Sequence, residues 1–233
     1  MPEPRVPTIA IVDYGMGNLF SVKRACEQAQ LPAVITNARE DILAASAVIL
    51  PGVGAFGDAM DTLRALDLAS VMRDVAAAGV PLVGICLGMQ LLMTESHEFG
   101  YHKGLGLVEG DVVRFDDRLG AKLVKVPHIG WSRIHAPAGA ADADGSWTGT
   151  LLSGLPDGEF MYFVHSFYCR PQDPRLVLST SRYGANEFAA NVRVGSVFGC
   201  QYHPERSGLQ GLRLYQNLAA TINVDVSEGA PYR

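Results

Sequence analysis

The clearest pattern along the chain is a series of short, largely apolar runs that do not alternate with polar residues. They are TIAIVD at 8–13, AVIT at 33–36, AVIL at 47–50 and VPLVGI at 80–85. Strands that are apolar at nearly every position are typical of a parallel sheet covered by helices on both faces. The segments between the runs carry apolar residues at helical spacing, and this alternation predicts an α/β fold.

Two of the intervening segments have the period of amphipathic helices. After the first strand, apolar residues recur at i, i+3, i+4 and i+7 behind Asn18, which is a candidate N-cap. Residues 58–78 have roughly helical spacing as well, and Gly79 is placed to end that helix. The beginning of the chain therefore predicts an α/β unit whose fourth strand delivers Cys86.

The middle of the chain has a different pattern. The stretches at 104–115 and 122–126 predict hairpins or edge strands, and the segment 135–149, rich in Ala, Gly and Asp, predicts an exposed loop. Strand character then returns in four segments, which are 160–169, 176–181, 188–194 and 196–202. Strands outside the alternating α/β region indicate that antiparallel strands are added to the parallel sheet.

The end of the chain completes the predicted domain. A last helix fits residues 207–221, and the termini, 1–7 and 223–233, are expected to be loose. Neither a repeat nor a linker divides the chain, so we expect residues 1–233 to form a single domain.

Composition narrows the class of protein. Of 233 residues, 48% are hydrophobic and 18% charged, which is typical of a globular protein. The net charge of −5 gives no reason to expect nucleic acid or an anionic membrane as a partner. The absence of an 18-residue apolar run and of a signal-peptide pattern predicts a cytoplasmic protein. Its cysteines, which include no C-x-x-C pair, argue against a disulfide framework or a zinc site.

The stretch GICLGMQLL at 84–92 carries the strongest chemical signal, because it places a cysteine between two glycines after a strand. The spacing G-x-C-x-G is the thiol form of a nucleophile elbow, a tight strand-to-helix turn that presents one side chain. Small neighbours are needed because the turn strains its central residue, and amides at the helix start favour a thiolate. The alternative is a buried, unreactive cysteine at the end of a core strand.

A nucleophilic thiol needs a base, and the base needs an orienting group. His203 follows an apolar strand in GCQYHPERS, and Glu205 stands two residues later, after Pro204. Proline restrains the backbone, so the two side chains can lie together, with His203 taking the proton of Cys86 and Glu205 fixing the ring. The alternative is an ordinary loop with Glu205 near the N-terminus of the last helix.

Attack on a carbonyl creates an oxyanion, which needs backbone donors aimed at it. The elbow offers the amide of Leu87. The stretch PGVGAFG at 51–57 follows the third strand, and Gly52 and Gly54 let its backbone approach a substrate, with the Val53 amide as the second donor. The alternative is an ordinary strand-to-helix turn.

Two motifs that resemble cofactor or metal sites do not fit those sites. GMGN at 15–18 lacks the third glycine of a dinucleotide fingerprint, because Phe20 stands in its place. In HEFGYH at 97–102 the histidines are five residues apart instead of four. We therefore expect neither a cofactor nor a metal.

Six motifs, in the order in which they occur along the chain, resemble those of the class I glutamine amidotransferases. GICLGMQLL, PGVGAFG and QYHPE carry the general resemblance, in which the triad is Cys, His and Glu in chain order. DYGMGNL at 13–19, PHIGW at 127–131 and YFVHSF at 162–167 narrow it to the glutaminase subunits of imidazole glycerol phosphate synthase, from histidine biosynthesis. The resemblance runs from about residue 8 to 221 and implies a flavodoxin-like, mostly parallel sheet.

The resemblance implies hydrolysis of glutamine to glutamate and ammonia through a thioester on Cys86. His203 would act as base and then acid, with Glu205 orienting it. Gln90 matches a family residue near the substrate, and Glu98 matches a carboxylate that binds its α-amino group. The other implied substrate-binding positions are Gly52, His165, Ser166 and Phe167. The alternative for Gln90 and Glu98 is an exposed polar residue on a helix or loop, which the residues alone favour for Glu98.

The resemblance also implies a partner. This is a (β/α)8-barrel cyclase that receives ammonia and forms imidazole glycerol phosphate and an aminoimidazole carboxamide ribotide. The residues that match its docking face are Asn18, Trp131, Tyr162 and Arg206; the two aromatic ones are natural anchors, or otherwise core residues. The family further implies that the Gly52–Val53 peptide is poorly oriented until the cyclase binds its nucleotide. Ser132 departs from the family pattern, which more often has Asn there, and the 135–149 loop is longer than usual.

Three alternatives share part of these features. A glutaminase of another synthase, such as that of pyridoxal phosphate, is disfavoured by PGVGAF and PHIGW. A non-catalytic binding or chaperone-like protein of the same fold needs neither His203 nor Glu205. A cysteine peptidase needs an open groove for a peptide chain.

Overall fold

The computed structural model describes residues 8–118, 123–137 and 147–222. The predicted loose termini, 1–7 and 223–233, lie outside these ranges. The same holds for residue 122 of the predicted strand segment and for residues 138–146 of the predicted loop.

The described residues form six α-helices and thirteen strands. The helices are α1 Leu19–Gln28, α2 Arg39–Ala44, α3 Phe56–Ala65, α4 Leu68–Ala77, α5 Leu87–Leu91 and α6 Gly208–Thr221. The strands are β1 Ile9–Val12, β2 Ala33–Thr36, β3 Ala47–Leu50, β4 Leu82–Ile85, β5 Met93–Ser96, β6 His102–Lys103, β7 Val108–Arg114, β8 His128–Ile134, β9 Glu159–His165, β10 Phe167–Pro171, β11 Val177–Tyr183, β12 Asn186–Val194 and β13 Val197–Cys200.

A seven-stranded sheet with the order β11-β12-β13-β4-β3-β1-β2 forms the centre of the molecule. The strands from β13 to β2 are parallel, whereas β12 and β11 are antiparallel additions at one edge. The predicted mostly parallel sheet with added antiparallel strands is therefore confirmed. Every residue of β1, β3, β4 and β13 is buried, since helices cover both faces of this region. The carboxyl ends of β4 and β13 lie side by side and lead to Cys86 and His203.

The predicted helix over 58–78 is wrong, because the chain forms two helices there. The break comes at Asp67, whose φ of 56° is left-handed, a conformation that aspartate tolerates better than most residues. Ser70 then donates a hydrogen bond to the Asp67 carboxylate at 2.9 Å. The apolar period shifts at this point, so Leu66 is half exposed while Leu68 is buried.

Predictions for the middle of the chain need three corrections. The segment 160–169 is two strands in different sheets, separated at Ser166. β7 is neither an edge strand nor half of a hairpin: it lies between β10 and β5, and residues 123–126 form no strand. At the end of the predicted exposed loop, Trp147 is buried and its indole N–H donates to the Leu178 carbonyl at 2.8 Å. These pairings join residues far apart in the chain, which local patterns do not report.

A buried aromatic cluster packs between the small β8–β9 sheet and the rest of the fold. It contains two histidines, His128 and His165, together with Phe115, Phe163, Tyr183 and Phe188. His128 stacks on Tyr183 with 4.2 Å between the ring centroids. Burial lowers the pKa of His128 to about 4 and that of His165 to about 3. Both rings are therefore neutral at neutral pH.

Acid is expected to destabilise the protein through these two rings. An unfolded histidine takes up its proton near pH 6.5, so between about pH 6.5 and 4 the unfolded state binds more protons. The free energy of unfolding therefore decreases as the pH falls through this window, by at most about 1.4 kcal/mol per pH unit for each ring. Burial raises the pKa of Glu98, so protonation of this carboxyl group at low pH stabilises the folded state and offsets part of this loss.

Urea-unfolding midpoints at several pH values between 7 and 4 measure the loss. His128→Asn removes one of the two rings and is expected to make the pH dependence shallower. A midpoint that does not change over this window would mean that both histidines accept protons in the folded state.

Candidate active site

The G-x-C-x-G stretch forms a sharp elbow between β4 and α5. Cys86 has φ 54° and ψ −109°, a backbone conformation that costs on the order of 1–3 kcal/mol for a residue with a side chain. Its amide nevertheless remains in the sheet, donating to the Cys200 carbonyl at 2.8 Å. A Cβ on Gly84 would lie 2.8 Å from the Gly88 backbone, and one on Gly88 would overlap the Leu50 carbonyl. The two glycines are thus required by close packing of backbone on backbone.

A pocket of about 310 Å³ opens over this elbow. The residues predicted for catalysis, the oxyanion hole or substrate binding that line it are Val53, Cys86, Leu87, Gln90, Glu98, His165, Ser166, Phe167 and His203. The remaining two of that set, Glu205 and Gly52, lie behind the wall. The pocket therefore gathers residues that follow β3, β4 and β13, as expected for the carboxyl edge of a parallel sheet, and the end of β9 adds residues from the separate β8–β9 sheet.

His203 and Glu205 form a buried pair behind the cysteine. His203 Nδ1 lies 2.8 Å from Glu205 Oε1, and the two side chains are 6% and 1% exposed. A short 3-10 turn, Pro204–Arg206, holds them together. Burial alone would lower the pKa of His203, but interaction with Cys86 and Glu205 outweighs burial and raises that pKa to about 10.

The other ring nitrogen of His203, Nε2, is on the side of the ring that faces Cys86. Nε2 is buried and makes no hydrogen bond of normal geometry with any described residue. Interaction with Cys86, through hydrogen bonding and through charge, is nevertheless among the causes of the raised pKa of His203. The Cys86 sulfur has only long contacts, at 3.9 Å to the Val164 carbonyl and 3.8 Å from the Gln201 amide nitrogen. A thiol and a base in this arrangement are positioned for nucleophilic attack followed by proton transfer.

The loop after β3 packs directly against the elbow. A Cβ on Gly52 would lie 2.5 Å from the Tyr14 hydroxyl and 3.2 Å from the Gly88 amide nitrogen, so only glycine fits. Gly52 is buried behind the pocket wall, whereas Val53 is 46% exposed and lines the pocket. Leu87 is the first residue of α5. Val53 and Leu87, the two predicted oxyanion donors, thus stand on the same pocket.

Tyr14 supports this loop from below. Its hydroxyl donates to the Pro51 carbonyl at 2.9 Å, and both residues are buried. Tyr14→Phe is expected to lower the free energy of unfolding by about 1 kcal/mol or more, because a buried acceptor loses its donor. It is also expected to lower the kcat of the reaction at Cys86 several-fold, because Pro51 immediately precedes the Gly52–Val53 peptide.

Urea unfolding and the rate of the reaction at Cys86 test the two effects of Tyr14→Phe separately. Tyr101→Phe is the matched control, because it breaks an exposed hydrogen bond to Glu95 and is expected to change neither quantity. Equal results for the two variants would show that Tyr14 does not support the loop.

Gln90 and Glu98 are buried, at 5% and 8% exposure, so the alternative of exposed polar residues is wrong for both. Gln90 Nε2 donates to the Phe167 carbonyl at 2.9 Å and to Gln201 Oε1 at 3.2 Å. Glu98 Oε2 accepts from the Phe56 amide, the first of α3, at 2.7 Å. Burial raises the pKa of Glu98, an effect that this amide partly offsets. One oxygen of each side chain makes no hydrogen bond with the described residues and is available to a ligand.

The residues predicted for the docking face lie on the surface. Trp131 is 54% exposed and makes an edge contact with Tyr162 at 5.8 Å between ring centroids. The Arg206 guanidinium lies 4.7 Å above the Tyr162 ring. Asn18 is exposed and caps α1 by accepting from the Ser21 amide at 3.4 Å. Neither aromatic ring is a core residue, which was the alternative.

Ser132 does not belong to this face. It belongs to the side of β8 that faces the interior, where its hydroxyl lies 3.0 Å from His128 Nε2. The departure from the family pattern therefore lies on the inward side of β8, at a partly buried position.

Sequence reasoning missed several residues of the site. They are Tyr14, Pro127, Val164 and Gln201, which line the pocket or hold its walls. For Gln201 a signal existed, because it comes directly after β13 and two residues before His203. Tyr14 and Val164 reach the site only through tertiary packing, which the local sequence does not reveal.

A larger cavity of about 650 Å³ lies away from this chemistry, at the opposite edge of the sheet. It is lined by residues such as Val80 and Ser196, next to the amino ends of β4 and β13, and Arg193 is its one charged lining residue in the described ranges. Its described lining residues include no cysteine, histidine, aspartate or glutamate.

Two further findings concern the described residues only. They contain no group of three or more His, Cys, Asp or Glu side chains arranged to hold a metal ion. None of the helices they form is long and apolar enough to cross a membrane.

Comparison with known proteins places these features in context. The family description "Glutamine amidotransferase class-I" matches residues 10–220. The chain is 44% identical over 214 residues to imidazole glycerol phosphate synthase subunit HisH of Moorella thermoacetica, covering 92% of this chain and 95% of that protein. It is 46% identical over 219 residues to the HisH subunit of Rhodopirellula baltica, covering 94% and 100%.

Solved structures add the fold. The structure of PurLQS from Thermotoga maritima is similar with a TM-score of 0.68 at 21% identity, covering 94% of this chain and 100% of that chain. A crystal structure of a glutamine amidotransferase is similar with a TM-score of 0.67 at 20% identity, covering 91% and 98%. At these identities the likeness shows a shared fold alone.

Proposed function

This chain belongs to the class I glutamine amidotransferases and, within them, to the HisH subunits of imidazole glycerol phosphate synthase, and on that basis we propose that Cys86, His203 and Glu205 are its catalytic triad. Its function is that of the glutaminase subunit of this synthase, in histidine biosynthesis. The observation that carries the triad is the buried His203–Glu205 pair beside a strained elbow cysteine over one pocket.

In the first half of the reaction, the Cys86 thiolate attacks the side-chain amide carbon of glutamine. The carbonyl oxygen becomes an oxyanion, which the amides of Leu87 and Val53 stabilise. His203, whose raised pKa keeps a proton on the ring, gives that proton to the leaving nitrogen, and ammonia departs. A glutamyl thioester remains on Cys86.

In the second half, His203 acts as a base. The ring, now neutral, takes a proton from water through Nε2, and the resulting hydroxide attacks the thioester carbon. Glu205 holds Nδ1 throughout and stabilises the imidazolium that forms. The carbon–sulfur bond breaks, glutamate leaves, and the thiolate returns.

Burial of Glu98 and Gln90 supports their roles in holding the substrate. The Glu98 oxygen not engaged by the Phe56 amide binds the α-ammonium of glutamine. Gln90 uses its Nε2 for Phe167 and Gln201, which leaves Oε1 to accept from the substrate. The backbone of His165, Ser166 and Phe167 forms the facing wall of the pocket.

The partner is a cyclase subunit with a (β/α)8 barrel that takes up the ammonia. It docks on the face formed by Asn18, Trp131, Tyr162 and Arg206. The exposed ring of Trp131 supports this assignment, because a large aromatic side chain half open to water is a typical interface anchor. Docking and nucleotide binding would then orient the Gly52–Val53 peptide and complete the oxyanion hole.

Glutamate release from glutamine by the purified chain, alone and with the partner subunit plus its nucleotide ligand, tests this function. Weak activity alone and strong stimulation in the complex are the expected results. Full activity that ignores the partner would keep the triad chemistry but remove the completed-oxyanion-hole mechanism. Absence of glutamate under every condition would overturn the triad.

A further inference from the structure

A hydrogen-bond chain that begins at the partly buried Ser132 of β8 runs through two buried histidines to the wall of the pocket, and the chemistry described above does not use it. The Ser132 hydroxyl lies 3.0 Å from His128 Nε2, and His128 Nδ1 lies 3.4 Å from His165 Nε2. His165 Nδ1 lies 2.8 Å from the Phe167 carbonyl oxygen. His128 and His165 are directly opposite each other in the β8–β9 ladder and are 2% and 6% exposed.

The Phe167 carbonyl, at one end of this hydrogen-bond chain, sets the direction of every hydrogen bond in it. The Phe167 carbonyl can only accept, so His165 Nδ1 carries the proton and its Nε2 is an acceptor. His128 Nδ1 must then be the donor to His165, and His128 Nε2 accepts from the Ser132 hydroxyl. Both rings are therefore neutral, with the proton on Nδ1.

The Phe167 carbonyl depends on side chains because the sheet does not hold it. β10 is an edge strand, and within the described residues its one ladder partner is β7. The Phe115 amide donates to the Ser166 carbonyl at 3.0 Å, so by antiparallel alternation the next carbonyl, that of Phe167, points away from β7. Its acceptor positions are filled by His165 Nδ1 and Gln90 Nε2.

This carbonyl in turn sets the orientation of Gln90. Both Gln90 amide protons are used, one on Phe167 and one on Gln201, whose own amide nitrogen lies 3.8 Å from the Cys86 sulfur. A rotated Phe167 peptide would release Gln90 to turn its oxygen away from the pocket. The hydrogen-bond chain that begins at Ser132 thus ends at Gln90, the residue assigned to substrate binding.

We propose that His128 is a positioning residue for glutamine binding: it orients His165, which fixes the Phe167 carbonyl and thereby Gln90. The proposal rests on the proposed function of the pocket. It assigns a role to a residue outside the pocket, on the inner side of the strand whose outer side carries Trp131. Its effect falls on substrate binding, because no member of the chain from Ser132 to Phe167 transfers a proton to the reacting atoms.

Two substitutions of His128 separate positioning from packing. Asparagine places its amide group where Nδ1 stands and keeps a donor for His165, but loses the bond to Ser132. Glutamine places its amide where Nε2 stands, keeps the bond to Ser132 and loses the donor for His165. Both lose the stacked ring equally, so their stabilities are expected to match.

Steady-state kinetics of glutamate release by the complex with the partner subunit and its nucleotide are the test. His128→Gln is expected to raise KM for glutamine roughly fivefold or more, and His128→Asn by less than about twofold, with kcat within about twofold for both. His165→Asn, which keeps a donor for Phe167, is expected to bind glutamine better than His165→Gln. Equal KM values for His128→Asn and His128→Gln, or for His165→Asn and His165→Gln, overturn the proposal.

A milder pair applies if a histidine variant fails to fold. Ser132→Ala removes the outermost donor and is expected to raise KM about twofold, whereas Ser132→Thr retains the hydroxyl and the wild-type KM. Identical KM values for these two variants would contradict the proposal. Failure of the proposed function is recognised separately, because the wild-type complex would then release no glutamate at all.

Discussion

Replacing Cys86 with alanine is expected to reduce glutamate release by a factor on the order of 10⁴ or more, even in the complex with the partner subunit. Loss of the nucleophile removes the thioester route altogether, and what remains is the contribution of binding and of the oxyanion donors. The loss is expected in kcat, because the groups assigned to glutamine binding, Gln90 and Glu98, are unchanged.

Cys26→Ala is the control for this experiment. Cys26 is buried in α1, and burial raises its pKa to about 12, so it is an unreactive thiol. The control variant is expected to keep wild-type kcat. Activity above about one per cent in Cys86→Ala would show that another group is the nucleophile.

Substitution of Cys86 should reverse the usual order of stability, in which an alanine variant is more stable than a glycine variant. Glycine normally costs roughly 0.5–1 kcal/mol relative to alanine in a regular element. At Cys86, however, φ is 54° and ψ is −109°, so glycine relieves a strain that alanine keeps. We expect Cys86→Gly to unfold at a urea concentration at least as high as Cys86→Ala does, while both are inactive.

Gly88→Ala is expected to have the largest effect on stability, lowering the free energy of unfolding by about 3 kcal/mol or more. The added methyl group would overlap the Leu50 carbonyl, and backbone in the middle of the sheet cannot move aside as the end of a side chain can. Because α5 starts at this contact, activity should be lost together with stability.

Gly106→Ala provides the comparison for Gly88→Ala. Gly106 has φ 68°, and no atom lies within 4 Å of the position where its Cβ would stand. Its substitution therefore introduces backbone strain alone, about 1–2 kcal/mol. Urea unfolding of both variants measures the difference. Gly88 itself does not have a left-handed φ. Equal losses would therefore mean that the backbone around Leu50 moves aside to accept the added methyl group.

The sequence predicted the elements whose signals are local. Apolar runs predicted β1 to β4, and G-x-C-x-G with His-Pro-Glu predicted that Cys86 and His203 lie together, because parallel strand ends meet at one edge. The break at Asp67 was missed, because one left-handed residue interrupts a helix without a glycine or proline to mark it.

What the sequence could not provide were the relations across strands. The contact between His128 and His165 depends on the β8–β9 register, and the exposed Phe167 carbonyl depends on β10 being an edge. Glu98 looked like an exposed residue, because only the approach of α3 to its loop buries it. Each of these needs the tertiary structure as a whole.

The left-handed conformation of Cys86 also bears on how such proteins change over generations. Cysteine codons become glycine codons by a single nucleotide change, and here that change would remove the nucleophile without loss of fold stability relative to alanine. Because glycine relieves the backbone strain at this position, selection for ammonia production, and not the conformation of the elbow, retains cysteine there. Inactive descendants with an intact fold are therefore one mutation away.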